Sequence, residues 1–335
     1  MSIVDEIAKS LGVSGATVSR ALNDRPGVSA EVREKIIAKA RELNYTPNVT
    51  ARALATSQTF NIGFFFLQKA GLPAAADPFY TEILHSAQQV IARTDYHVAF
   101  ETLTLDTVAR PVDFRFVRER RIDAMILAGP DIPAGFITAM LNTKLPVVLV
   151  DNRLGFSPVN CVNSDDETGA FHAAQYLLDL GHRHIGVIAG PLDWASTTRR
   201  MWGYQRALGV VESMIVHMSE TTIESGRAAY RQLMEAHPEI TAICAVNDSM
   251  AIGAIREAYR RGKSVPEDLS VIGFDDISWA ELNDPPLTTI RIPRQQMGKE
   301  AAHRILMLLH DPDLLASEVI VPVQMVERHS TAPRR

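Results

Sequence analysis

Cysteine is nearly missing from this chain: its 335 residues include two, Cys161 and Cys244. Both lie in apolar, strand-like runs and read as buried free thiols, which excludes a disulfide framework and a cysteine-built metal site. No stretch reaches the ~18 consecutive apolar residues of a membrane span. The first residues lack the basic end and apolar run of a secretory signal, so no membrane partner and a cytoplasmic location are expected. No Gly-x-Gly-x-x-Gly loop follows a strand-like run, which disfavours dinucleotide binding. A nucleophile elbow is absent, and the ten histidines are scattered, without metal-ligand spacing. No cofactor, no metal and no catalytic residue are expected.

A strong basic surplus is missing as well. The formal net charge is −5; residues 1–58 hold eight Lys/Arg against six Asp/Glu, and the rest hold 26 against 33. A head of +2 therefore precedes a body of −7. Hydrophobic residues make up 46%, with mean hydropathy near zero. A globular chain of this length exceeds one ordinary core, so a head and a body of two lobes are expected.

What the N-terminus does have is two short helical runs joined by a turn. Ile3 to Ser10 places Val4, Ile7 and Ala8 on one face and Asp5, Glu6 and Lys9 on the other. Gly12 is free to take a positive φ in the turn. Ser14 has the chemistry of an N-cap for Gly15 to Leu22. Such a unit places its second helix in the DNA major groove. Ser29 opens a third helix, Ala30 to Asn44, with apolar residues at helical spacing, and Pro47 marks its end. The short run Pro47 to Ala55 is too short to persist as an isolated helix in water. Within it, Leu54 near Arg52 has the composition of a minor-groove wedge with a phosphate anchor.

The residues Val13 to Arg20 resemble the helix-turn-helix signature Val-Ser-x-x-Thr-Val-Ser-Arg of the LacI/GalR (lactose-repressor) family, with Gly15 and Ala16 as the variable pair. The resemblance continues through the hinge-like run and through Gly181-His182-Arg183, Gly273-Phe274-Asp275-Asp276 and Pro285-Pro286-Leu287-Thr288-Thr289. It implies an α/β protein with three parts: an all-α helix-turn-helix head (1–46), a hinge (47–58) and a two-lobed periplasmic-binding-protein-like body of type I (59–335). Lobe 1 is expected at about 59–162 and 291–323, lobe 2 at about 163–290, each a parallel sheet flanked by helices. It further implies a repressor that binds double-stranded, pseudo-palindromic operator DNA as a homodimer. Ser14, Gly15, Ala16, Thr17, Ser19, Arg20 and Asn23 would serve as head contacts, with Arg25 among the phosphate contacts and Arg52 and Leu54 in the hinge. In relatives the hinge is disordered off DNA and folds on it. No leucine heptads follow Arg328, so no tetramerisation tail is expected.

The body reads as alternating strands and helices: strands at Ile62–Leu67, His97–Leu103, Ala124–Ala128, Val147–Val150, Ile185–Ala189, Ala242–Val246, Ser270–Gly273 and Val319–Val323. Helices are expected around Tyr80–Ala92, Glu167–Leu180, Arg199–Val211, Ser249–Arg261 and Gln295–Leu309. Ligands of open α/β sheets bind at carboxyl ends of strands, which singles out Asp151, Asn247 and Asp275, with Arg200 after a loop. These match effector-contacting positions of sugar-binding relatives, and their chemistry suits a polyol: carboxylates accept from hydroxyls, Arg200 donates bidentately. Asp151 reads equally as a strand-end cap. Asp248 and Asp276 read as caps. Phe79 and Tyr80 match an aromatic position that stacks on a sugar, or else pack on their own lobe; Trp194 and Trp279 are expected beside the cleft. Thr221 stands where relatives often carry an aromatic contact, and the Ala-rich loop 68–77 is longer than usual. The effector implied is a mono- or disaccharide. Two other classes share the body: a transporter's solute-binding protein, which would need a secretory signal and no helix-turn-helix, and an enzyme, for which no catalytic set is present.

Overall fold

The computed structural model describes residues 3–22, 26–43, 45, 58–68, 78–155, 157–209 and 214–334. The chain divides into two units, Met1–Phe60 and Asn61–Arg335. Asn23, Arg25, the hinge residues Arg52 and Leu54, and loop residues 69–77 lie outside the described residues.

Among the described residues, three helices build the first unit: α1 (Ile3–Leu11), α2 (Gly15–Leu22) and α3 (Ala30–Glu42). Gly12 takes φ +66° in the turn between α1 and α2, a conformation that costs glycine nothing. Ser14 Oγ accepts from Thr17 N at 3.1 Å and caps α2. Ser29 does the same for α3 through Val32 N. Ile7 and Ala8 of α1, Val18 and Ala21 of α2, and Ile36 and Ala40 of α3 form the core. Their spacing follows the helical period, so each helix buries one stripe.

Among the described residues, the second unit holds two six-stranded sheets. One has the order β11-β5-β4-β3-β1-β2, with β1 Asn61–Leu67, β2 His97–Leu103, β3 Ala124–Ala128, β4 Val147–Val150, β5 Cys161–Ser164 and β11 Glu318–Val321; all its pairings are parallel. The other has the order β12-β10-β9-β8-β6-β7, with β6 Ile185–Ala189, β7 Ile215–His217, β8 Ala242–Ala245, β9 Ser270–Asp275, β10 Thr288–Arg291 and β12 Gln324–Val326. Only β12 runs antiparallel there. The chain passes between the sheets three times: after β5, after β10 and after β11. The strands that run through the middle of each sheet are apolar throughout because helices cover both faces. Ile62, Phe64 and Phe65 of β1 are fully buried on opposite faces.

The helices that matter for the site are α4 (Pro78–Ile91), α5 (Asp166–Asp179), α6 (Ala195–Leu208), α7 (Ile223–Ala236), α8 (Asp248–Arg260) and α9 (Arg294–His310). β7, α7 and β12 have no counterpart in the sequence reading, which also starts α6 too late. In each sheet the chain order reverses beside the first strand, between β1 and β3 and between β6 and β8. Such switch points open a crevice at the carboxyl ends of the strands, and the two crevices face each other.

Candidate functional site

A cleft between the two sheets is lined from one lobe by Phe79, Tyr80, Pro130 and Asp151, and from the other by Trp194, Arg200, Thr221, Asn247 and Asp275. Its enclosed volume is about 70 Å³, or about 440 Å³ counting the part continuous with solvent. Apart from Thr221, in the loop before α7, the polar residues here stand at a strand end or in the first turns of a helix. Asp151, Asp275 and Asp276 take φ of 54°, 110° and 54°, in the left-handed half of backbone space that aspartate tolerates better than most residues. Such strained turns cluster at functional sites.

Arg200 forms the centre. Its Nε donates to Asp166 Oδ1 at 2.8 Å, Nη1 lies 3.2 Å from Asp275 Oδ1 and also donates to the Val246 carbonyl, and its guanidinium stacks on Phe274 at 3.8 Å. Burial opposes its charge, yet Asp166, Asp275 and Asp151 outweigh that and raise its pKa further. Tyr80 Oη donates to Asp151 Oδ2 at 2.9 Å. Burial first, then the neighbouring Asp166 charge, pushes Asp151 up to about 7 against the pull of Arg200 and of the Tyr80 bond. The site can therefore present one carboxylate whose ionisation changes near neutral pH, hydroxyls, an amide and aromatic faces.

On the head, Ala16, Ser19 and Arg20 form the exposed face of α2 opposite Val18 and Ala21, with Ser14 exposed just before it. Gly15 and Thr17 are half-buried at its edge, and a Cβ added at Gly15 would meet nothing. Ser14 Oγ also pairs with Thr17 Oγ1 at 2.9 Å, so both hydroxyls are oriented by the cap.

Residues 3–48 match the model of bacterial regulatory proteins of the lacI family, and residues 174–331 match that of a periplasmic binding protein-like domain. The ribose operon repressor of Bacillus subtilis (strain 168) is 31% identical over 333 residues, which cover 99% of either chain. The chain belongs to the LacI family. Two solved structures are similar in fold and sequence. The lac repressor dimer bound to operator and the anti-inducer ONPF has a TM-score of 0.79 and 28% identity, with 99% of each chain covered. A complex of the transcriptional regulator CelR with cellobiose has a TM-score of 0.75 and 26% identity, covering 98% of this chain and 99% of that one. This LacI-family protein is thus a transcriptional regulator with a helix-turn-helix DNA-binding head and an effector-binding body.

In this LacI-family body the seven positions singled out in the sequence, Phe79, Tyr80, Asp151, Trp194, Arg200, Asn247 and Asp275, all reach the one cleft. Several roles differ from expectation. Asn247, not Asp248, caps α8, with Oδ1 accepting from Met250 N at 2.9 Å while Nδ2 donates to the Thr221 carbonyl. Asp248 is fully buried, accepting from Ile277 N and from Thr289 Oγ1 at 2.5 Å. That approach needs Gly273, where a Cβ would lie 2.2 Å from Asp248 Oδ1. Asp276 is no cap either; it pairs with Arg291 at 2.6 Å and Arg328 at 2.7 Å. Arg200 lies in the second turn of α6, which starts earlier than expected, and its donors serve Asp166, Asp275 and the Val246 carbonyl before any ligand. Trp279 lines a separate surface cavity with Ile223, Ile252 and Leu282. Sequence reasoning missed Asp166 altogether: the run Asp165-Asp166-Glu167 looks like helix-start acid. Asp165 is the actual cap, through Thr168 N, leaving Asp166 to turn inward.

Among the described residues no helix is long and apolar enough to cross a membrane. No cluster of His, Cys, Asp or Glu among them could hold a metal ion.

Proposed function

We propose that this protein is a cytoplasmic repressor, not an enzyme, that binds a pseudo-palindromic operator as a homodimer and answers to a mono- or disaccharide held between its lobes. The convergence of seven residues from five chain segments on one cleft, at the switch points of both sheets, carries this reading. Asp151 and Asp275 accept from sugar hydroxyls, Asn247 and the remaining N–H groups of Arg200 donate, and Tyr80 or Trp194 offers an aromatic face. The head reads DNA through Ser14, Gly15, Ala16, Thr17, Ser19, Arg20 and Asn23, and Arg52 and Leu54 act at the minor groove. A +2 head binds weakly alone at physiological salt, which favours two heads on one operator.

The relatives support each part: one is a ribose operon repressor, one is an operator-bound dimer, and one holds cellobiose. Their roles are regulatory, which speaks against catalysis. The effector acts by preferring one arrangement of the lobes, and linkage then changes operator affinity in either direction. The test is a thermal-shift titration against a sugar panel, since a real effector stabilises by mass action. It is followed by gel shift on a selected operator with and without the best ligand. A ligand that shifts melting but leaves operator affinity unchanged would refute the coupling.

A further inference from the structure

Building on that reading of the cleft, we propose that its sugar carries no negative charge: neutral and amino-bearing sugars enter, while sugar acids and sugar phosphates are refused. Three carboxylates, Asp151, Asp166 and Asp275, gather on the single guanidinium of Arg200. Recognition of a carboxylate or phosphate calls for a cation with two N–H groups free on one edge. Here Nε is given to Asp166 and Nη1 to Asp275 and the Val246 carbonyl, and Phe274 stacks on the guanidinium. Among the described residues, the other polar groups facing the cleft are mainly hydroxyls and an amide, on Tyr80, Ser196, Thr197, Thr221 and Asn247.

Among the described residues, the neighbouring cations do not repair the balance. Arg294 pairs with Glu82 at 2.6 Å and donates to the Asp275 and Asp276 carbonyls; Arg153 pairs with Glu318 and, although its buried Nε has no hydrogen-bond partner, it does not line the cleft. Arg199 acts on Asp166 and Arg153 by charge but does not line the cleft. Helix N-termini favour anions, and α5, α6 and α8 begin near this cleft. At α5 and α8 the chain's own groups already take those places: Asp165 and Asn247 cap, and Asp166 and Asp248 occupy the first turns. α6 follows Trp194 without a side-chain cap, and there Asp151 and Asp275, which line the same cleft, oppose an entering anion. A carboxylate or phosphate entering here would meet like charges in a poorly solvated space, where repulsion is worth more than in water.

The experiment is calorimetric titration of the full chain with matched sets: common hexoses, pentoses and disaccharides, with their 2-amino, uronic-acid and 6-phosphate derivatives. The expected result is that at least one neutral or amino sugar binds and that its acid and phosphate counterparts bind at least tenfold more weakly. A uronic acid or phosphate that binds as tightly as its neutral parent overturns the inference and leaves the sugar-effector reading standing. If no compound of any class binds, the effector reading itself falls, and the inference with it. In Asp151→Asn, which keeps an acceptor for Tyr80, the acid should gain at least fivefold relative to the neutral parent at pH 8, where Asp151 is ionised. An unchanged ratio in a folded variant means that these carboxylates do not set the discrimination.

Discussion

Arg200 Nε lies 2.8 Å from Asp166 Oδ1, and both side chains are almost wholly removed from solvent. The pair ties the first turn of α5 to α6, and through Asp275 to the end of β9. Breaking a buried pair from one side strands a charge, at a cost of about 3–5 kcal/mol. Asp166→Ala is expected to lose stability of that order in urea unfolding, and Asp166→Ala with Arg200→Met is expected to lose less than the two single changes added together. Strict additivity would show that the two are not coupled.

Asp151 is raised to about 7 in the folded protein, from an ordinary aspartate value of 3.8. A carboxyl with a raised folded pKa contributes stability that is full below pH 4 and is lost as pH climbs through about 7. Asp151→Asn, which cannot ionise, should therefore melt higher than the unaltered protein at pH 8, with the gap narrowing steadily toward pH 5. Melting curves across that range check it; a gap that widens toward acid would contradict it.

His182 works in the opposite sense. Its Nδ1 lies 2.9 Å from Thr241 Oγ1, and its Nε2 lies 3.0 Å from Ser270 Oγ and 3.1 Å from the Ala332 carbonyl. Burial depresses its pKa below 6.5, and the Arg334 charge adds to this against the Ala332 bond. Stability from the neutral ring is present above pH 6.5 and is lost as pH falls through the lowered value. Ser270 Oγ also accepts from Ala332 N, and Arg334 N donates to the Leu180 carbonyl. Hydrogen exchange at Ala332 and Arg334 should accelerate at pH 5 beyond the intrinsic trend. No such loss of protection would separate the C-terminal segment from His182.

In the head, Ser14→Ala removes the α2 cap and should cost about 1 kcal/mol of head stability. Arg20→Ala leaves the core untouched, because the side chain is exposed. It should weaken binding to a selected operator by about 1–3 kcal/mol for each base that Arg20 reads. Circular dichroism and gel shift follow the two effects separately, and an Arg20→Ala that binds as tightly as the parent removes Arg20 from the interface.

For the hinge, Leu54→Ala is expected to weaken operator binding and reduce DNA bending while effector affinity off DNA stays the same, since a wedge acts only on the duplex. Circular-permutation gel shift measures the bend. Unchanged affinity and bend would route the coupling between effector and operator elsewhere.

Most of the element plan was legible because its causes are local. Val18, Ala21, Ile36 and Ala40 fall at helical spacing, Ser14 and Ser29 announce helix starts, and unbroken apolar runs such as Ile62–Leu67 mark buried strands. β7 and α7 were not read between 212 and 241, where weak strand character and a polar helix give a fainter pattern: β7 is three residues long, and none of them is fully buried.

From sequence alone came the type of each candidate group and, for Asp151, Asn247 and Asp275, its place after a strand, because strand ends at a switch point must face the crevice. Only the tertiary structure decided what each group does. Asn247 and Asp248, or Asp275 and Asp276, are neighbours of nearly equal chemistry; which one faces the cleft depends on a backbone turn and on distant partners. Thr289 claims Asp248 from 41 positions away, and Arg291 with Arg328 claims Asp276. Asp166 becomes the partner of Arg200, 34 positions on, only when α5 packs against α6. Local pattern follows from the chain's own periodicity, whereas the pairing of buried charges is settled by which helices the core brings together.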